Sequence, residues 1–352
     1  MSSSKDNLRI KRQYALVPHT ADHVELRYGI WNPTVFSIKD DEEKGQLYRI
    51  MKCLDGTLSP AEITKKLDVS RATVESLIDY LMQLGVLEST ASTAIDYYLE
   101  TMMPNLRRSI EREESRVPVL VMGDSSALNT EVQNLISGTV DPSVVQTLDS
   151  SNPLFEFLRK SSEDWIHDPI AFEDQLSRFA HWKGSFIVLV MESIDPSLCI
   201  KLNAICKGLG ISWIHGAIDG PVLFVGPTFA VQRGPCYECF ETRISMNLRD
   251  TQSYQSYKTA LLDGRVTDNK CNPIHNSIRS ILCGHLSMEA INFVLTGNTF
   301  TIGKVLTTFI PTMEIGFHEV LRTSGCSSCG SFQIKNDTQP HFDVQALLGE
   351  VV

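Results

Sequence analysis

No stretch of this chain approaches the roughly 18 to 20 consecutive apolar residues that a membrane-spanning helix needs. Its start, Met1-Ser2-Ser3-Ser4-Lys5, is polar and no apolar segment follows, so the expectation is a cytoplasmic protein without a signal peptide. Positive charge is in deficit. Lys and Arg number 32 against 42 Asp and Glu, a net charge of −10, which excludes a nucleic-acid footprint spread over the whole surface. Internal repeats, low-complexity tracts and a glycine-rich phosphate loop are all missing, and no Ser, Cys or carboxylate is spaced with His275 or His285 as a catalytic triad would require. No catalytic residue is therefore assigned.

What is present is an ordinary globular composition, 42% hydrophobic and 21% charged, in 352 residues, enough for two or three domains. Four of the nine cysteines form two C-x-x-C pairs. Cys236 and Cys239 lie in Gly234-Pro235-Cys236-Tyr237-Glu238-Cys239-Phe240-Glu241-Thr242-Arg243, and Cys326 and Cys329 lie close to the C-terminus. The two-residue spacer lets both thiolates of a pair turn toward one ion, and a second pair completes a tetrahedron. The expected group is a structural zinc with four cysteine ligands and no open position for chemistry. The same residues also admit two disulfides, a redox dithiol or four unrelated core thiols. A reducing cytosol disfavours disulfides. Cys53, Cys199, Cys206, Cys271 and Cys283 sit in apolar periodic surroundings and read as small buried hydrophobes.

Residues 1–21 read as a loosely held lead-in. His23–Gly29 and Thr34–Lys39 alternate apolar and polar around Asn32-Pro33, which predicts a strand pair. The period then changes. Leu47, Ile50, Met51 and Leu54 form a helical stripe ended by Asp55-Gly56. Ser59-Pro60-Ala61-Glu62 is a capping box with proline at the first helical position. Ser70 caps a third helix with Val74, Leu77, Ile78 and Leu81 inward, stopped at Gly85, and a short extended piece follows. Residues 22–90 thus predict a winged-helix-like module. Three roles compete for it: DNA binding, a structural cap and peptide capture. The third helix has Arg71 as its only basic residue beside Glu75 and Asp79, which speaks against DNA.

The ordered set Thr34-Val35-Phe36-Ser37-Ile38, Leu54-Asp55-Gly56-Thr57, Ala61-Glu62-Ile63 and Leu81 with Leu84-Gly85-Val86-Leu87 resembles the PqqD-like RiPP recognition element. That family binds the leaders of ribosomally made, modified peptides. The resemblance implies that a leader peptide adds as an extra strand along Thr34, Val35, Phe36, Ser37 and Ile38, with Arg71, Val74, Glu75 and Ile78 beside it.

Residues 91–116 predict a helical connector ending in the charged run Arg112–Arg116. Beyond it, residues 117–352 predict an α/β domain with a mostly parallel, doubly covered sheet. Its apolar runs are Val117–Met122, Phe186–Met191, Ser212–Gly216 and Pro221–Gly226, with helices between. The first run leads into Gly123-Asp124-Ser125-Ser126, the strand–turn–helix opening of nucleotide-binding domains, reduced to one glycine and carrying an acid where phosphates would lie. Residues 244–270, polar and containing Tyr254 and Tyr257, predict a mobile crossover loop for partner contacts.

With Val225-Gly226-Pro227-Thr228, Gly234–Arg243 and Leu321–Gly330, this layout resembles the ThiF-like, ubiquitin-activating-enzyme fold. Joined to the N-terminal module, it resembles the ThiF-like leader-binding partners of YcaO cyclodehydratases in azole-forming peptide clusters. The resemblance implies a non-catalytic, homodimeric subunit that presents a precursor peptide to a separate YcaO enzyme, with a flavin dehydrogenase as a further partner. No ATP is expected on this chain, since its loop is degenerate and Glu192-Ser193-Ile194-Asp195 stands where an aspartate would follow the second strand. The alternative is a ThiF-type peptide-adenylating enzyme acting alone. Cys271 before Asn272-Pro273 stands where some relatives carry a sulfur-carrying or thioester cysteine, but nothing in the sequence activates its thiol.

Overall fold

The computed structural model describes residues 7–31, 33–89, 94–98, 117–263, 265–266 and 274–330. The chain divides into two units, residues 1–104 and 105–352. The Arg112–Arg116 run, Cys271 with Asn272-Pro273 and the tail from Gln333 lie outside the described residues.

The first unit begins earlier than the sequence suggests. β1 (Arg9–Ile10) pairs with β5 (Leu87–Glu88), and β2 (Ala15–Thr20) pairs with β3 (His23–Tyr28). Leu8 is already in the core. Residues 7–20 are therefore integral structure and not a loose lead-in. Their alternation is masked because β2 is a half-exposed edge strand interrupted by Pro18, where the register shifts. β3 pairs with β4 (Thr34–Lys39), giving an antiparallel sheet in the order β2-β3-β4.

Three helices follow, α1 (Leu47–Cys53), α2 (Pro60–Leu67) and α3 (Arg71–Gln83), and a short α4 (Ala94–Tyr97). The predicted capping box is formed: Ser59 Oγ accepts from the Glu62 amide, and the Glu62 carboxylate accepts from the Ser59 amide at 2.8 Å. Ser70 Oγ likewise accepts from the Thr73 amide at the start of α3. Leu47, Ile50, Met51, Leu54, Val74, Ile78 and Leu81 converge with Val24, Leu26 and Ile38 on one apolar core.

The second unit is built on seven strands in the order β12-β11-β10-β9-β8-β6-β7. Along the chain come β6 (Val119–Met122), α5 (Ser126–Ser137), β7 (Val145–Leu148), α6 (Pro153–Lys160), α7 (Asp164–His167), α8 (Pro169–Arg178), β8 (Phe186–Met191) and α9 (Pro196–Leu209). There follow β9 (Ser212–Asp219), β10 (Val222–Phe229), α10 (Tyr237–Asn247), α11 (Thr251–Leu262), α12 (Asn276–Thr296), β11 (Lys304–Phe309) and β12 (Glu314–Glu319). Alternate residues of β6 and β8 serve two cores. Leu120, Ile187 and Leu189 face α6 and α9, whereas Val119, Val121, Val188 and Val190 face α5 and α12. Continuous apolar runs arise because both faces of these strands are covered.

Two expectations need correcting. The sheet is mixed: β7, β6, β8 and β9 are parallel neighbours, and β9, β10, β11 and β12 are antiparallel neighbours. Only Gly220 and Pro221 separate β9 from β10, too few residues for the crossover a parallel pair demands. Residues 244–247 and 251–262 are helical and not a mobile loop. Asp250 caps α11 through the Ser253 amide at 2.8 Å, and Tyr254 and Lys258 both reach the Glu241 carboxylate of α10, at 2.8 and 2.6 Å. Because α11 is anchored by polar tips, no aliphatic stripe marks it. Among the described residues, no helix is long and apolar enough to cross a membrane.

Candidate functional site: a cysteine knuckle and a strand-edge groove

In the second unit, Cys236 sits at the N-cap of α10 and Cys239 one turn along, fully buried. Cys326 and Cys329 arrive from the turn after β12. All four Sγ atoms lie within 4.8 Å of one another, with Cys236–Cys326 at 3.5 Å, Cys239–Cys329 at 3.3 Å and Cys236–Cys239 at 3.8 Å. Thiolates at ~2.3 Å from a tetrahedral ion stand ~3.8 Å apart, so the set fits a metal, whereas a disulfide needs ~2.05 Å. The four described cysteines outside the cluster are also free; Cys199, Cys206 and Cys283 are buried and Cys53 is half-buried.

Surrounding bonds fix the knuckle. The Thr323 amide donates to Cys239 Sγ at 3.3 Å, and Arg322 donates to the Cys329 carbonyl at 2.6 Å. Arg243 donates to the Leu321 carbonyl at 2.6 Å, and Ser327 donates to the Glu238 carboxylate. Gly330 has no room for a side chain, since a Cβ there would stand 2.4 Å from the Cys326 carbonyl oxygen. Burial pushes the Cys236 thiol well above the ordinary range, and the neighbouring thiols add to it. A bound cation reverses this by stabilising all four thiolates. With four protein ligands the ion would have no open position, so its contribution is structural.

Next to α10 lies His215, fully buried in β9, with neither ring nitrogen hydrogen-bonded. Its ring stacks on Phe229 at 5.4 Å and meets Phe224 and Phe240 edge-on. Burial pulls its pKa from 6.5 down to about 3. The imidazole is neutral in both states above pH 6.5; below it the unfolded chain takes up a proton that the folded chain refuses. Stability is therefore lost as pH falls from 6.5 toward 3, at up to about 1.4 kcal/mol per pH unit. Urea melts at pH 7 and pH 4.5 should show His215→Phe losing about 2–3 kcal/mol less than wild type over that interval. An unchanged acid sensitivity would contradict the assignment.

The carboxyl ends of β6 and β8, where the strand order reverses, hold the degenerate loop. Gly123 is required there by close packing: a Cβ would lie 2.1 Å from the Val190 carbonyl oxygen. Glu192 occupies this crevice, accepting from Ser125 Oγ at 3.0 Å and pairing with Arg279 at 2.9 Å. A half-buried carboxylate there repels phosphates and consumes the nearby cation. His275 caps α12 by accepting the Ser277 amide at 3.2 Å, a structural task.

In the first unit, the hydrogen-bond register fixes what β4 offers. The Asp40 amide donates to the Asp22 carbonyl at 2.9 Å, one step beyond the His23–Lys39 pair. Alternation then directs the backbone groups of Thr34, Phe36 and Ile38 at β3 and those of Val35, Ser37 and Lys39 outward, to an edge that no described strand pairs. Between the end of β4 and α3 lies a groove of about 510 Å³, lined on the helix side by Ala72, Thr73, Ser76, Leu77 and Tyr80 and on the α1 side by Gln46, Leu47 and Ile50. Ile38, Lys39, Asp40 and Glu42 line the other side.

Of the sequence-assigned peptide contacts, Thr34, Val35 and Ser37 are exposed, and Phe36 is half-buried. Val74 and Ile78 require correction, because both are fully buried in the core and offer no surface to a peptide. Arg71 and Glu75 pair with each other at 2.8 Å and do not line the groove. The groove positions Thr73, Ser76, Leu77 and Tyr80 were missed; they form their own i, i+3, i+4 row beside the core row, a signal present in the sequence.

No family model matches the chain, and no curated protein matches it. Among solved structures, it is similar to the heterocyclase TruD, with a TM-score of 0.61 and 16% identity over 92% of this chain and 43% of that one. A heterocyclase in complex with substrate and cofactor gives 0.61 and 15% over 92% and 39%. E. coli MccB with SeMet MccA gives 0.50 and 11% over 92% and 99%. The chain thus spans about two fifths of the heterocyclase chains it matches. At these identities the likeness is one of fold: the polypeptide is a mixed α/β protein with the architecture of part of a heterocyclase chain.

Proposed function

We propose that this chain is a leader-binding scaffold subunit in azole-forming peptide modification. It grips the leader of a ribosomally made precursor and presents the core to a YcaO-type cyclodehydratase on another chain, which makes azolines from Cys, Ser or Thr residues. The observation that carries this reading is the outward edge of β4, which no described strand pairs and whose end, at Ile38 and Lys39, lines the groove against α3. An extended peptide would add there as a fourth strand, with alternate side chains entering the groove. The fold shared with two heterocyclases supports the same assignment. Zinc on Cys236, Cys239, Cys326 and Cys329 would hold the second unit's knuckle to its sheet, without joining the chemistry. A homodimer and a cytoplasmic location complete the proposal, with a flavin dehydrogenase as a later partner.

The second reading is a ThiF-type enzyme that adenylates a peptide by itself, favoured by the strand–turn–helix at Gly123 and opposed by Glu192 in that crevice. Titrating the purified chain with labelled leader peptides encoded beside its gene, with ATP binding followed in parallel, separates the two. Micromolar or tighter peptide binding without nucleotide binding is expected; pyrophosphate exchange by this chain alone would favour the enzyme.

A further inference from the structure

The opposite end of the sheet carries a cleft of about 840 Å³. Lys183 enters it just before β8, Lys207 from the last turn of α9, Arg233 after β10 and Arg322 beside the knuckle. Buried Trp213 and Phe229 are also among its lining residues. Among the described residues no carboxylate lines it, although the chain as a whole carries a net charge of −10. Four cations gathered from separate segments without a counter-charge repel one another, an arrangement that an anionic occupant relieves. Arg233 and Arg322 are held in place by bonds to the Gly297 and Cys329 carbonyls, at 2.7 and 2.6 Å.

Several backbone N–H groups along the cleft are already used within the fold, which leaves fewer to cradle a phosphate. Val231 N–H donates to Ser212 Oγ, Arg233 N–H to the Ala230 carbonyl, and Tyr237 N–H to Asn203 Oδ1. Charge is supplied by side chains from four separate segments around the cleft, which suits several separated carboxylates.

We propose that this cleft is the docking site for an acidic, extended peptide segment of a partner protein chain. The inference is independent of leader capture, which uses the other unit. Its test is fluorescence anisotropy of a fluorescein-labelled octaglutamate peptide with the full chain at low and moderate salt. Binding is expected to weaken as salt rises, and Lys183→Glu/Lys207→Glu to weaken it about ten-fold or more. Both lysines are exposed, so folding checked by circular dichroism should be unchanged. The charge-matched pair Lys160→Glu/Lys304→Glu should leave affinity within about two-fold. Absence of binding, equal weakening by the control pair, or displacement by inorganic pyrophosphate at lower concentration than unlabelled octaglutamate would each overturn the proposal. So would a salt-sensitive dimer of this chain that octaglutamate dissolves, which would make the occupant a second copy. Leader affinity unchanged in Lys183→Glu/Lys207→Glu keeps the two sites distinguishable.

Discussion

Val35→Pro should weaken leader binding by about 2–4 kcal/mol, roughly 30- to 1,000-fold in Kd, while the protein stays folded. The reason lies in the register. Val35 faces Arg27 in a pair whose backbone groups point away from β3, so proline there removes no bond of the existing sheet. It does remove an N–H offered to an added strand, leaves a peptide carbonyl unpaired and places a ring in its path. Val35→Ala should be nearly silent, since the side chain is half exposed and the contact is through the main chain. Phe36→Pro, by contrast, strikes a group bonded to β3 and should unfold the unit. The measurement is anisotropy with a labelled leader, together with thermal melts of all three variants. Wild-type affinity in Val35→Pro would rule out strand addition at β4.

Cys239→Ser should release the metal and lower stability by about 4 kcal/mol or more, a drop of roughly 8–16 °C in Tm. Cys239 is fully buried, within 3.3 Å of Cys329, and accepts the Thr323 amide, so its thiolate joins α10 to the segment after β12. Because the ligands converge only in the folded chain, metal affinity is folding free energy. Chelation of the wild type should reproduce the shift. Cys206→Ser, at a buried thiol outside the cluster, should cost stability but retain one equivalent of metal. A wild-type protein that carries no metal and melts at the same temperature before and after chelator treatment would refute the knuckle's structural role.

Much of both sites was legible locally. The stripe at Leu47, Ile50, Met51 and Leu54 announced α1, Ser59 with Glu62 announced α2, and the unbroken apolar run Phe186–Met191 announced β8. The four cysteines declared themselves by spacing, because C-x-x-C geometry is set within one turn of backbone. Where a local signal was weak, the reading failed: β2 with its Pro18, α11 with its polar anchors, and β7, β11 and β12, whose short strands carry little pattern.

The sequence by itself therefore determined the secondary elements with strong periodicity, their caps and the four-cysteine cluster. Tertiary structure alone decided the rest. It built a groove against the Thr73, Ser76, Leu77 and Tyr80 row of α3, left the β4 edge without a partner strand among the described residues, and made half the sheet antiparallel. It also brought Glu192 to Arg279 and gathered Lys183, Lys207, Arg233 and Arg322 around one cleft. The physical reason is range. Propensity, capping and periodicity act over one or two turns of chain, whereas strand order, edge exposure and the convergence of charges depend on contacts between segments that local sequence does not relate.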